Sequence, residues 1–195
     1  MSMKKRGLIL FLWLFAGTYT YGQYMPQIKG VSLGDTMEKV VDRLKNMNIK
    51  YEIYDDDGIE YDNFIAIDLC FFLYDEPTYG VFDLMDTGFY FKKNQLLCIQ
   101  SDLTTDGWND WARRMKRQDS PEVTCIQLSN LAWKIFESIY GKADYVGPYA
   151  TGMEQDIIWR YANGQIALYR KFKITKQGLF RTKGVFDFGI IAELK

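Results

Sequence analysis

Twice along this chain a hydrophobic period of about 3.6 residues gives way to a period of two, and that alternation limits the folds open to it. In the first instance Asp35 is placed to cap a helix, with Glu38 three residues on in the reciprocal capping arrangement. Met37, Val40, Val41, Leu44 and Met47 then form one apolar stripe, and Asn48 suits the left-handed conformation that ends a helix. Strand-like runs follow at 51–54, 64–74, 79–84, 88–91 and 96–99, and the short link from Lys92 to Gln95 reads as a hairpin. In the second instance Trp108, Trp111, Ala112 and Met115 stand at helical spacing, with Arg113, Arg114, Lys116 and Arg117 on the polar side. A helix restarts at Ser120 and Pro121, carries Leu128, Leu131, Ala132, Ile135 and Ile139 on one face, and stops at Gly141. Asn163 and Gly164 predict a tight hairpin between 157–161 and 165–172, and 184–194 supplies the last strand.

That order predicts an α+β protein of two tandem halves, 23–105 and 106–195, each with helices packed on one face of antiparallel sheet, in one continuous domain. Residues 1–22 read as a secretory signal peptide: basic Lys4, Lys5 and Arg6, an apolar stretch over 7–16, and a small-residue end at Thr20, Tyr21 and Gly22. The apolar stretch is about half of the roughly 20 residues a spanning helix needs. The expected product is therefore periplasmic or secreted, begins near Gln23, and has no membrane span after cleavage. No cysteine stands at the cleavage point to take a lipid.

Without the leader's three basic residues the balance is 21 basic to 25 acidic, a net charge of −4. Nucleic acid, which calls for a basic footprint, is excluded as a partner. Cys70, Cys98 and Cys125 allow three single disulfides in an oxidising compartment. Cys70 with Cys98 is the preferred pair because both lie in strand-like runs; three buried free thiols are the alternative.

The chain has no histidine, which removes the usual base of serine and cysteine hydrolases and the commonest zinc or copper ligand. Gly30, Val31, Ser32, Leu33 and Gly34 spell the G-x-S-x-G elbow, yet no histidine can activate Ser32 and no strand-to-helix scaffold precedes it. Asp55, Asp56, Asp57, Gly58, Glu60 and Asp62 look like the start of a calcium loop, but with Gly58 sixth the first and twelfth positions are Ile53 and Phe64. An acidic, solvated turn is the expectation. The run 113–117 reads as the wet side of a helix. No catalytic residue, metal or cofactor is expected.

Tyrosines gather beside glycine, proline and acidic residues: Tyr51, Tyr54 and Tyr61 near the acidic turn, Tyr74 and Tyr79 around Pro77, Tyr145 and Tyr149 around Gly147 and Pro148. A tyrosine offers large rigid area with few rotors and one polar tip, which suits recognition. Tyr51, Tyr54, Tyr61, Tyr145 and Tyr149 are the expected contact residues of an exported, non-catalytic binding module for an unknown protein or glycan. A structural envelope component and a histidine-free carboxylate hydrolase are the alternatives.

Ile28, Lys29, Gly30, Val31, Ser32, Leu33, Gly34 and Asp35, leading into Val40, Val41 and Leu44, resemble the opening of exported proteins similar to β-lactamase inhibitor protein. Trp108, the helix end Tyr140, Gly141 and Lys142, and the pair around Asn163, Gly164 and Gln165 resemble later segments of that family. The resemblance implies tandem helix-plus-sheet halves, a layout also similar to the outer-membrane assembly lipoprotein of the BamE type, and it implies no enzyme. Asn48 stands where a glycine usually closes the first helix of that pattern, and the middle strands are richer in aromatic and acidic residues.

Overall fold

The structure, a computed structural model, describes residues 23–56, 58, 60–73, 85–103, 121–147, 154–177 and 182–195. The expected leader at 1–22, strand at 79–84, helix from Trp108, basic run 113–117 and Tyr149 lie outside the described residues.

Helix α1 (Met37–Asn46) buries Val40 and Leu44, with Met37, Val41 and Met47 packed against the same core. Its cap is Thr36, whose hydroxyl accepts from the Lys39 N–H, in place of the expected Asp35. Asp35 instead accepts from the Ser32 N–H at 2.8 Å and pairs with Lys39. The helix closes as the spacing predicts. Asn48 has φ +56°, its N–H donates to Lys45 O, and the Ile49 N–H donates to Leu44 O. This is the Schellman pattern, completed by the buried pair Leu44 and Ile49.

Strands β1 (Glu52–Asp55) and β2 (Asn63–Ile67) lead to a 3-10 turn at Phe71–Leu73, where the sequence pattern extended the strand to Tyr74. Phe71, Phe72 and Leu73 are all buried, so an unbroken apolar run with no alternation marks a core plug here and not a strand. Strands β3 (Asp86–Lys92) and β4 (Gln95–Leu103) meet at a two-residue hairpin in which Lys93 and Asn94 both have positive φ. Helix α2 (Pro121–Tyr140) ends at Gly141, φ +80°. Strands β5 (Tyr145–Val146), β6 (Glu154–Tyr161), β7 (Gly164–Gln177) and β8 (Thr182–Leu194) complete the described elements.

The expectation of two tandem helix-plus-sheet halves is overturned. All eight strands form one antiparallel sheet in the order β1-β2-β3-β4-β8-β7-β6-β5, with two helices among the described residues, so the molecule is dominated by its sheet. The physical reason is the seam: β4 and β8 pair from Cys98 with Glu193 to Leu103 with Phe188. Separate sheets would leave both strands with unpaired backbone edges, and joining them removes two edges at once. One core cluster accordingly contains Val40 and Leu44 of α1, Ala132 and Phe136 of α2, and Ile65, Phe89, Ile99, Ile166 and Ile190 of the sheet.

The expected β6–β7 hairpin forms, with its turn one residue earlier than the Asn163 and Gly164 pair. Tyr161 pairs with Gly164, which leaves Ala162 and Asn163 as the turn, and neither has positive φ. Gly164 is required for close approach, since a Cβ there would run into the Glu193 carbonyl. Along α2 the buried face runs through Ser129, Ala132 and Phe136, whereas Ile139, expected inside, is 48% exposed.

Candidate functional site

Residues directly opposite each other in neighbouring strands share a face of the sheet, so the register sorts the two faces. Ile65, Phe89, Ile99, Ala192, Ile166 and Trp159 form one continuous buried row beneath the helices. The adjacent row lies on the other face and reads Glu52, Ala66, Gly88, Gln100, Ile191, Ala167, Ile158 and Tyr145 across all eight strands. A second row on that face carries Tyr54, Phe64, Tyr90, Cys98, Glu193, Gln165 and Arg160. A third carries Asp86, Asp102, Gly189 and Tyr169. Val40 and Leu44 of α1 and Ala132 and Phe136 of α2 belong to the core cluster on the opposite side, so neither described helix covers this face.

Its central feature is a run of rings. Tyr54 stacks on Phe64 at 4.8 Å and 16°, Phe64 on Tyr90 at 5.7 Å and 26°, and Tyr61 leans on Tyr90 at 4.9 Å. Small residues let the rings lie low. A Cβ on Gly88 would stand 2.7 Å from the Tyr90 ring, and one on Gly189 would collide with the Tyr169 ring and the Asp102 carboxylate. Tyr169 donates its hydroxyl to Asp102, which also accepts from Gln100 Nε2 at 2.6 Å. The Tyr54 hydroxyl donates to Glu52, and Gln165 Nε2 donates to Glu193 at 2.6 Å.

Carboxylates set the electrostatics. Burial, reinforced by the charges of Asp68 and Asp102, raises the Asp86 carboxyl above its ordinary value. The Tyr90 phenol is raised by burial and by Asp102. The hydrogen bond to Glu52 raises Tyr54, and burial pushes Tyr61 up to about 12.

The expected contact tyrosines are not one cluster. Tyr54, 41% exposed, and half-buried Tyr61 are brought together through Phe64 and Tyr90. Tyr51 packs against the core and lines a groove of about 420 Å³ with Ile49, Lys50, Glu52, Ala66, Ile67 and Asp68. Tyr145 sits at the opposite sheet edge beneath the Arg160 guanidinium, 5.9 Å from its ring. Phe64, Tyr90, Tyr169 and Asp102 were missed. Their signal was phase: Phe64 and Ala66, Gly88 and Tyr90, Gln100 and Asp102 alternate with the buried set Ile65, Ile67, Thr87, Phe89, Ile99 and Ser101.

The preferred disulfide is not formed, for both Cys70 and Cys98 are free, buried thiols. Cys70 bonds to Ser101 on the core side, whereas Cys98, three residues before Ser101 in the part of β4 that follows its bulge at Leu97, points to the other face beside Tyr61. The sheet itself lies between them. The Cys125 side chain lies outside the described residues.

Around Ser32 the G-x-S-x-G segment is a tie to the sheet. Ile28 and Val31 bridge across a turn, Gly34 donates to Leu96 O at 2.7 Å, and Leu96 donates to Asp35 O at 2.9 Å. In the acidic turn Asp55 accepts from Asn63, Asp56 from the Gly58 N–H, and Asp62 from the Lys93 N–H. Each accepts one hydrogen bond from the turn itself or from the β3–β4 hairpin, and no group of three or more His, Cys, Asp or Glu suited to a metal exists among the described residues.

No family model matches the chain, and neither a curated protein nor a solved structure does. The site must be read from its own chemistry. A half-exposed aromatic face ringed by carboxylates and backed by a rigid sheet is suited to holding a partner by contact area, hydrogen bonds and charge.

Proposed function

We infer that this protein is an exported, non-catalytic binding module whose contact surface is the face of its sheet that neither described helix covers, centred on Tyr54, Phe64 and Tyr90. The observation that carries the reading is the stacked run of Tyr54, Phe64 and Tyr90, with the Tyr90 ring lying over Gly88, on a face that neither described helix covers. Rings fixed by packing lose little rotamer freedom on binding, so their area converts efficiently into affinity. The leader-like residues 1–22 and the similarity of 28–35 to exported inhibitor-type proteins fit a module working outside the cytoplasm. Affinity capture from envelope extract tests it: a partner held by the natural protein should be lost by Tyr54→Ala with Tyr90→Ala. Equal recovery by the folded double variant would remove this face from the account.

One observation favours a hydrolase as second reading, namely a carboxyl raised by burial, Asp86, directly opposite a second carboxylate, Asp102. Such pairs divide acid and base roles in glycoside hydrolysis. Glycan cleavage abolished by Asp102→Asn would establish it.

A further inference from the structure

We propose that the occupant of this face is a cationic protein segment, whose arginine or lysine side chains lie over the rings of Tyr54, Phe64 and Tyr90 and against the neighbouring carboxylates. The assignment rests on the face being the binding surface. Glu52, Asp86, Asp102 and Glu193 lie in its rows, and Asp68 follows directly after β2. Among the residues whose side chains are described, the one ion pair joins Lys39 to Asp35 on the α1 side, and it takes in none of these five carboxylates. Asp86 and Asp102 stand directly opposite in β3 and β4, a like-charge arrangement that opposes folding and that an incoming cation relieves. The rings add to the same preference, because the negative face of an aromatic attracts a guanidinium or ammonium within about 6 Å. The chain's own Arg160, at the β6 end of the row that carries Glu193, shows that geometry over Tyr145 on this same face, at the edge far from Tyr54. A neutral glycan is the weaker fit. Two amides that would bond its hydroxyls, Gln100 and Gln165, already donate to Asp102 and Glu193.

The test titrates the exported protein with a peptide of alternating arginine and glycine, followed by backbone amide shifts. An alternating glutamate and glycine peptide and an N-acetylglucosamine oligomer serve as comparison arms. Shifts are expected at Phe64, Tyr90, Gln100 and Ile191, with affinity falling about tenfold or more as salt rises through the range where the Debye length shrinks from roughly 10 to 3 Å. Asp86→Asn, which relieves repulsion and so keeps the fold, should weaken binding about fivefold. Asp42→Asn with Glu137→Gln, which removes two exposed helix carboxylates, should leave binding unchanged. Shifts confined to the helices, equal loss in the helix variant, or binding of the oligosaccharide alone would overturn the assignment. A captured natural partner that is lost by Tyr54→Ala with Tyr90→Ala but indifferent to salt and to Asp86→Asn would overturn the cation while leaving the face as binding surface. Indifference to both variants would remove both.

Discussion

Asp86 and Asp102 face one another across two strands, and their repulsion should be measurable in the folded protein alone. Because burial and the neighbouring Asp68 and Asp102 raise the Asp86 pKa in the fold, the native state holds that proton more tightly than the unfolded chain. Its favourable contribution is complete below the ordinary value of 3.8 and is lost as pH rises through the raised one. Asp86→Asn should therefore raise the melting temperature at neutral pH, by a few tenths of a kcal/mol in stability, and flatten the pH dependence above 3.8. An unchanged slope would remove Asp86 as its source. The thiols give a second expectation. Burial pushes Cys70 up to about 12, and burial with the Glu193 charge does the same for Cys98. In a Cys125→Ser background neither should react with a disulfide reagent at mild alkaline pH until urea opens the core. Core loss is expected to be severe at Phe136, which touches Phe72, Tyr140 and Trp159 with ring centroids 5.2–6.1 Å apart. Phe136→Ala should cost about 3–5 kcal/mol in denaturant unfolding.

Most elements were legible in the sequence because their signals are local. Asn48 ends α1 through its own left-handed backbone, so Asn48→Gly should be tolerated while Asn48→Val costs about 1 kcal/mol or more in thermal unfolding. The Lys92 to Gln95 link announced the β3–β4 hairpin by its length alone. Errors fell where a local rule met a tertiary contact. Asp35 has capping chemistry, yet its carboxylate satisfies the Ser32 N–H in the segment tied to β4, and Thr36 takes the cap. The pair Asn163 and Gly164 has hairpin chemistry, yet Gly164 serves the close approach of β8, and Asn163 accepts from the Met25 N–H at 2.8 Å. Phe136 was left out of the α2 face because a stripe through Leu131, Ile135 and Ile139 looks equally good until the sheet fixes the helix rotation.

At the scale of the whole molecule the seam between β4 and β8 turns runs of strands into one sheet, and no short-range pattern announces it. Backbone pairing between segments some ninety residues apart carries no composition signal, so the sequence pattern suggested halves where the fold has continuity. The same seam makes the candidate surface. It brings Glu193 beside Cys98 and Tyr90, sets Gly189 against Asp102, and extends the face that the alternation of β2 to β4 begins. The sequence singled out tyrosines as candidate contacts, but Tyr145 lies at the far edge and the rings that join Tyr54 to Tyr61 come from strands. The most direct test of the account is affinity capture by the natural protein beside two variants of matched melting temperature, Tyr54→Ala with Tyr90→Ala on the face, and Asp42→Asn with Glu137→Gln on the helices. The account predicts a partner retained by the helix variant and lost by the face variant; a partner retained by the face variant, or lost equally by both, would contradict it.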